Sequence, residues 1–167
     1  MILINKNILN YFKKNNLNIS NIKPEKESQQ YNATKFQLEN TKTKQIKDII
    51  FRTGKSTPTK QGHFVTFWKR DENKITIPFD TKDKFDYLII YVKNKEIEGL
   101  FIFTKQILLE NKIITNYSNN TIKGKNGFRL YTPELNNLNK QATKSQIWQS
   151  KMFSELNNKG KLLKLIN

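Results

Sequence analysis

Hydrophobic residues recur along the chain with two periods, one typical of helices and the other of strands. The helical spacing of Ile4, Ile8 and Phe12 predicts a first helix over residues 5–15, and similar spacing predicts helices over residues 105–111 and 140–156. Runs rich in β-branched and aromatic residues predict strands over residues 31–39, 46–53, 64–70, 85–93, 97–103 and 128–131. The pattern therefore predicts an α+β fold.

The two most hydrophobic strands should lie at the centre of the sheet. Residues 87–92 are apolar at consecutive positions, which is typical of a strand covered on both faces, and residues 97–103 are equally apolar. We expect them to form a hairpin in a mixed, mainly antiparallel sheet flanked by helices. With no internal repeat or linker, residues 1–167 should form one domain, in which residues 1–28 are a helix and a connector and residues 157–167 a frayed tail.

The composition adds a strong positive charge. Lys and Arg number 30 against 14 Asp and Glu, a net charge of +16, while 11 Phe, 6 Tyr and 2 Trp supply bulky groups for a core. Because this excess opposes compaction, a polyanionic partner is the first interpretation, and a lysine-rich proteome from an AT-rich genome is the alternative. Arg occurs only at positions 52, 70 and 129, where bidentate anion binding and structural ion pairing are both open.

Several classes of protein are excluded by what the sequence lacks. Without Cys there is no disulfide framework or thiol nucleophile, and a single His excludes the usual His-rich metal sites. The N-terminal residues do not resemble a signal peptide, and the longest apolar runs are too short to span a membrane. We therefore expect a soluble cytoplasmic protein with no cofactor, no metal ion and no membrane insertion.

Residues 52–70 are the strongest candidate for a functional segment. No Asp or Glu falls between Asp48 and Asp71, so nothing within the segment neutralises its cations. We expect a flexible basic loop between two strands that offers cations, hydroxyl groups and backbone N–H groups to an anion. The residues predicted to bind nucleic acid here are Arg52, Lys55, Ser56, Thr57, Thr59, Lys60, His63, Trp68, Lys69 and Arg70.

We expect two further basic regions to share that surface. A glycine-containing segment and the strand after it carry Lys123, Lys125 and Arg129. On the last predicted helix, Lys140, Lys144 and Lys151 fall within an arc of roughly 40°, although such a row is usually just a solvated face. Aromatic residues beside cations, as at residues 67–70, are suited to stacking on unpaired bases.

Motifs for catalysis are incomplete. The Gly-Lys-Ser sequence at residues 54–56 lacks the earlier glycine of a phosphate-binding loop, since Ile49 stands there. His63 has no nucleophile with an orienting carboxylate nearby, which favours a structural or nucleic-acid-contacting role. Asp80, Lys82 and Asp86 have the residue types of a metal-dependent nuclease, but neutralisation of neighbouring lysines is the favoured interpretation. We assign no catalytic residue.

The chain resembles the MepB family of bacterial proteins. The resemblance is carried by KSTPTKQGHFVTFWKR at residues 55–70, Pro-Phe-Asp at residues 78–80, Phe-Asp at residues 85–86, GKNGFRLY at residues 124–131, NKQA at residues 139–142, Gln146 and Trp-Gln at residues 148–149. It spans residues 31–153 and implies a fold similar to the PD-(D/E)XK nuclease core. The acid-x-Lys motif of that core is absent from residues 99–103, so the resemblance implies nucleic-acid binding rather than cleavage.

These features together predict a non-catalytic protein on a degenerate PD-(D/E)XK nuclease-like scaffold. It should bind RNA or single-stranded DNA more than duplex, with little sequence specificity. Two alternatives remain open. One is an active metal-dependent nuclease with a relocated site at Asp80, Lys82 and Asp86. The other is a basic adaptor for an acidic protein or a membrane surface.

Overall fold

The computed structural model describes residues 4–118, 122–158 and 160–166. The helices are α1 (Lys6–Lys14), α2 (Lys105–Glu110), α3 (Lys140–Lys151) and α4 (Lys161–Leu165), with a short 3-10 helix at Gln29–Tyr31. The strands are β1 (Leu17–Pro24), β2 (Thr34–Asn40), β3 (Ile46–Thr53), β4 (Lys55–Thr57), β5 (Lys60–Thr66), β6 (Trp68–Arg70), β7 (Thr76–Pro78), β8 (Tyr87–Lys93), β9 (Glu98–Thr104), β10 (Gly127–Leu130) and β11 (Phe153–Glu155).

A mixed, mainly antiparallel sheet forms the centre of the fold. Its strand order is β1-β2-β3-β8-β9-β11, and the only parallel pair among these strands is β3–β8. The first six residues of β8 are buried, as are five consecutive residues of β9, which is the burial expected of strands covered on both faces. The predicted α+β class and the central hairpin are therefore confirmed.

The large sheet separates two hydrophobic clusters. On one face, α1 packs through Ile8, Tyr11 and Phe12, and the side chain of Asn5 caps the helix by accepting a hydrogen bond from the Ile8 N–H at 3.0 Å. The other face is covered by the small sheet β10-β5-β4, by Phe67 and Phe79 beside the β6-β7 ribbon, and by α2 and α3. This second layer places the loops and strands that carry the predicted site on one side of the molecule.

The N-terminal connector was predicted without regular structure, and this was wrong. Residues 17–24 form β1, an edge strand antiparallel to β2 with a register shift between Ser20 and Lys23. Leu17 is buried, whereas the residues after Ile19 are exposed. Because an edge strand needs few apolar side chains, its hydrophobic signal was too weak to recognise.

The basic segment is not a flexible loop. Residues 55–57 and 60–66 form the antiparallel hairpin β4–β5, and β5 also pairs with β10. The predicted strand over residues 64–70 is interrupted at Phe67, after which β6 pairs with β7. The charge of the hairpin is accommodated because His63 and Val65 face the core while its lysines remain exposed.

The C-terminal predictions also need correction. The last long helix ends at Lys151, and Phe153–Glu155 then pairs with β9, where Gly99 leaves the space that the Phe153 ring occupies. The tail is not frayed over its described residues, because α4 buries Leu162 against the α1 side of the sheet, with Ile166 just beyond its end. No helix among the described residues is long and apolar enough to cross a bilayer.

Candidate functional site

A cleft of about 560 Å³ lies where the β4–β5 hairpin, β10 and α3 meet, and we call it the α3–β10 cleft. Its lining residues are Thr59, Lys60, Gln61, Asn111, Ile113, Lys125, Gly127, Phe128, Arg129, Tyr131, Leu138, Asn139, Gln141, Ala142, Ser145, Trp148 and Gln149. These described residues include three cations and no Asp or Glu. The cleft therefore joins three basic or polar segments that are far apart in sequence.

Two glutamines of α3 fix the wall of the cleft. Gln149 is buried, and its side chain donates to the Arg129 carbonyl at 3.0 Å while accepting from the Tyr131 N–H at 2.8 Å. One turn earlier, Gln146 donates to the carbonyls of Thr132 and Leu135, both at 2.9 Å. Because these bonds satisfy the backbone on both sides of residue 130, α3 is held in a fixed position against β10.

Arg129 occupies the junction between β10 and the hairpin. Its Nη1 donates to the Thr57 hydroxyl at 3.0 Å and to the Gln61 carbonyl at 3.2 Å, and its guanidinium lies 5.8 Å from the centre of the Phe64 ring. Arg129 has no carboxylate partner among the described residues, and its Nε and Nη2 make no hydrogen bond there. The side chain is thus held in place, lines the cleft and keeps donors that no described residue uses.

The cleft-facing side of α3 carries polar groups that nothing in the described chain uses. Gln141, Ser145 and Trp148 follow one another at i, i+4 and i+7 and therefore share a face of the helix. None of the three makes a side-chain hydrogen bond within the described residues, and the Trp148 ring packs on Phe103 at 5.2 Å between centroids. By contrast, the side chains of Gln146 and Gln149 both hydrogen-bond to backbone groups of residues 129–135.

Several predicted residues lie at or beside this cleft. Thr59, Lys60, Lys125 and Arg129 line it. Lys55 and Ser56 are exposed on the hairpin, where the Lys55 ammonium lies 5.3 Å from the Tyr31 ring, and Thr57 holds Arg129. Lys123 is exposed shortly before β10. Lys140, Lys144 and Lys151 are exposed on α3, and at about 100° per residue their row lies next to the cleft-facing side of the helix.

Arg52 was predicted to bind an anion, and the structure assigns it a structural role instead. It is 1% exposed, and its Nη1 lies 2.5 Å from the Glu25 carboxylate and 2.8 Å from the Phe51 carbonyl. Burial lowers the pKa of Arg52, and the nearby charge of Glu25 opposes that shift. A buried guanidinium with its own carboxylate cannot contact an external phosphate.

His63 is likewise buried, with 2% of its surface exposed. Its Nε2 lies 3.3 Å from the Lys93 carbonyl, and its Nδ1 is buried without a partner in the described chain. Burial lowers the pKa of His63, and the hydrogen bond to Lys93 opposes this only in part. The structural alternative for His63 is therefore correct, and the predicted nucleic-acid contact is not.

Trp68, Lys69 and Arg70 belong to the separate β6–β7 ribbon and do not line the cleft. The Arg70 guanidinium stacks 4.8 Å from the Trp68 ring centre and lies 3.5 Å from Glu27. Lys69 bridges Asp80 at 2.5 Å and Asp83 at 2.7 Å. Burial alone lowers the pKa of Lys69, but its hydrogen bonds to the two carboxylates outweigh that effect and raise it above its ordinary value.

The residues of the alternative nuclease site serve other contacts. Asp80 is buried and forms a salt bridge with Lys69. The Asp86 carboxylate accepts a hydrogen bond from the Asp48 N–H at 2.7 Å. The Lys82 ammonium lies 4.2 Å from the Tyr117 ring. Within the described chain, no group of three or more His, Asp or Glu side chains is placed to hold a metal ion.

Sequence reasoning missed the part of the cleft contributed by α3. Gln141, Trp148 and Gln149 were noted only among the residues that carry the family resemblance, and no role in the site was predicted for them or for Ser145. Their i, i+4, i+7 and i+8 spacing was visible, but the sequence does not show that β10 would lie alongside this face. The signal in the sequence was therefore limited to this helical spacing.

Fold and site together define a class: a single-domain α+β protein in which a mixed sheet supports a basic cleft between a helix and a small second sheet. The chain belongs to the MepB-like family, whose model matches residues 25–155. It is similar to a solved structure described as the crystal structure of MepB, with 35% identity and a TM-score of 0.78, covering 93% of this chain and 100% of the other. No curated protein matches the chain.

Proposed function

We propose that this protein binds RNA or single-stranded DNA in the α3–β10 cleft and does not cleave it. The observation that carries the proposal is the convergence of Lys60, Lys125 and Arg129 on one cleft that has no acidic residue among its described lining. Phosphates are attracted to such a surface, and each neutralised phosphate releases counterions. The relation to the PD-(D/E)XK nuclease core remains a prediction.

The distribution of charge favours binding over a mere excess of lysine. A second cleft of about 450 Å³, between α1 and the β9–β11 edge, is lined by Glu96, Glu98 and Glu155 with a single Lys14. A third cleft, of about 370 Å³, is lined by Lys23, Lys35 and Lys84 with Asp48, so of these three clefts only the α3–β10 cleft has no acidic residue among its described lining. The contrast supports an anionic partner for the α3–β10 cleft in particular.

The ion pairs of the basic segment support the same location. Of its predicted cations, Arg52, Lys69 and Arg70 are paired with carboxylates. Lys55 and Lys60 on the hairpin have no such partner among the described residues, nor do the cations of residues 123–129 or the lysines of α3. Of the cations predicted to bind nucleic acid, those without a carboxylate partner among the described residues therefore lie at or beside the cleft.

Fluorescence anisotropy with labelled single-stranded RNA, single-stranded DNA and duplex DNA, measured across a salt series, tests the proposal. With three to six phosphates neutralised, the plot of log affinity against log salt should have a slope of about −2 to −4 for single strands. Duplex should bind more weakly, and gels of the same samples with Mg²⁺ should show intact oligonucleotides. A salt-independent affinity, or no binding at low salt, would contradict the binding proposal, and metal-dependent degradation would contradict the absence of cleavage.

A further inference from the structure

We infer that the α3–β10 cleft holds one unpaired nucleotide, with its base on Trp148 and a phosphate at Arg129. The inference rests on the proposed function and adds to it how the nucleic acid is recognised. It assigns stacking and base-edge contacts to α3, which a purely electrostatic surface would not provide.

The size of the cleft suits a single nucleotide. At about 560 Å³ it falls within the roughly 300–1,000 Å³ range of small-molecule sites. Its two sides differ in chemistry. Helix α3 contributes Gln141, Ser145 and Trp148, whereas the hairpin, β10 and the residues just before β10 contribute the cations. The α3 side suits the base of a nucleotide, and the cationic side suits its phosphate.

Trp148 supplies a surface for stacking. Its ring is partly exposed and is held on one side by Phe103, with 5.2 Å between ring centroids and 52° between ring planes. Bases stack on aromatic side chains whatever their identity, since every base has a π-face, and a base inside a duplex has both faces covered by its neighbours. The cleft should therefore select unpaired nucleotides.

The unused polar groups of α3 are placed for the edge of such a base. An amide presents both a donor and an acceptor, and a hydroxyl can act as either, so Gln141 and Ser145 can adapt to different bases. The side-chain amides of Gln146 and Gln149 on the same helix hydrogen-bond to backbone groups. The side chains of Gln141 and Ser145 make no hydrogen bond within the described chain. Adaptable contacts of this kind fit recognition with little sequence preference.

Arg129 is the group placed for the phosphate. Thr57 and Gln61 occupy its Nη1, and Gln149 holds the backbone carbonyl of the same residue. The remaining guanidinium donors suit a phosphate oxygen, and Lys60 and Lys125 line the same cleft. Gln149 thus links the position of the cation to the helix that carries the stacking residue.

The experiment compares two probes with equal numbers of phosphates, an oligothymidine of eight nucleotides and its fully abasic counterpart. The native protein should bind the abasic strand about tenfold more weakly, and Trp148→Ala should bind both strands alike, at the weaker level. Equal binding of the two strands by the native protein, or discrimination that survives in Trp148→Ala, would overturn the inference while leaving the binding proposal intact. Absence of binding to both strands would instead contradict the proposed function.

A second measurement does not depend on Trp148→Ala folding correctly. The chain has two Trp, so Trp68→Phe leaves Trp148 as the only indole, and Trp148→Phe leaves Trp68. Oligothymidine should quench the fluorescence of the Trp68→Phe protein in a saturable way, and the abasic strand should not. Equal quenching in both single-tryptophan proteins, or none in the Trp68→Phe protein while anisotropy reports binding, would overturn the inference.

Discussion

The three arginines look alike in the sequence but differ in burial and in their distance from a carboxylate, and therefore in their roles. Arg52 is buried with Glu25, Arg70 is exposed and lies 3.5 Å from Glu27, and Arg129 has no carboxylate partner in the described chain. The sequence left bidentate anion binding and structural ion pairing open for all three. Only the structure shows that their roles differ. The carboxylate partner of Arg52 lies 27 residues away in the chain, so no local sequence pattern reveals the pair.

Removing the partner of the buried arginine should be costly. Glu25→Ala leaves the Arg52 guanidinium uncompensated, so the free energy of unfolding should fall by about 3 kcal/mol, as when other buried pairs are broken. Glu27→Ala is the matched control, because it removes a carboxylate from an exposed arginine and should cost about 0–1 kcal/mol. Urea denaturation of both variants checks this, and equal losses would show that the Arg52 pair is not the stabilising contact we describe.

The single histidine gives the protein a specific dependence on pH. Burial lowers the pKa of His63 in the folded state, so the unfolded chain binds more protons below its ordinary pKa of 6.5. Stability should be complete above that pH and should decrease as pH falls toward the lower folded-state pKa. Denaturation curves between about pH 7 and pH 5 should show this decrease, and His63→Gln should flatten it. An unchanged slope in His63→Gln would contradict the assignment.

Among the elements, the contact between α3 and β10 decides whether a cleft exists. The two glutamines of α3 replace a strand partner along the open edge of β10 and the segment that follows it. Without those side chains the backbone groups around residue 130 would lack partners in a region that α3 covers. The helix α3 therefore forms one wall of the cleft and supplies hydrogen-bond partners to backbone groups along the open edge of β10.

Gln149 should be the most sensitive position of α3. Gln149→Ala leaves the Arg129 carbonyl and the Tyr131 N–H unpaired, and the free energy of unfolding should fall by about 2–4 kcal/mol. Gln141→Ala, at an exposed position of the same helix, should change it by less than about 0.5 kcal/mol. Thermal or urea denaturation of the two variants provides the comparison. Similar stabilities would argue against the wall that we assign to α3.

Elements were predictable from sequence where hydrophobic periodicity is strong, and not where contacts are distant. The central hairpin of β8 and β9, the helix α1 and the start of α3 were all predicted. The edge strand β1 and the short β11 were missed because each is specified by pairing with a distant strand rather than by its own composition. The cations of the cleft were predicted because they form clusters in the sequence. The residues that α3 contributes to the cleft were not predicted, because no such cluster marks them.

For the whole molecule, the charge is unevenly placed rather than simply abundant. A net charge of +16 raises the general affinity for polyanions, yet the α3–β10 cleft is basic whereas the cleft between α1 and the β9–β11 edge is acidic. On the proposed function, nucleic acid should bind at the α3–β10 cleft rather than over the whole surface. A uniformly charged particle would show no such preference, which makes the location of binding the most informative property to measure.

The central claim is tested most directly by two triple variants that reduce the net charge equally. Lys60→Gln, Lys125→Gln and Arg129→Gln together remove the cations of the α3–β10 cleft, while Lys13→Gln, Lys42→Gln and Lys95→Gln remove exposed lysines elsewhere. Anisotropy titrations with single-stranded RNA at low salt should show at least a tenfold loss of affinity for the cleft variant, with a salt slope shallower by about 2, and only a small loss for the control. Equal losses in the two variants would contradict a cleft-centred site.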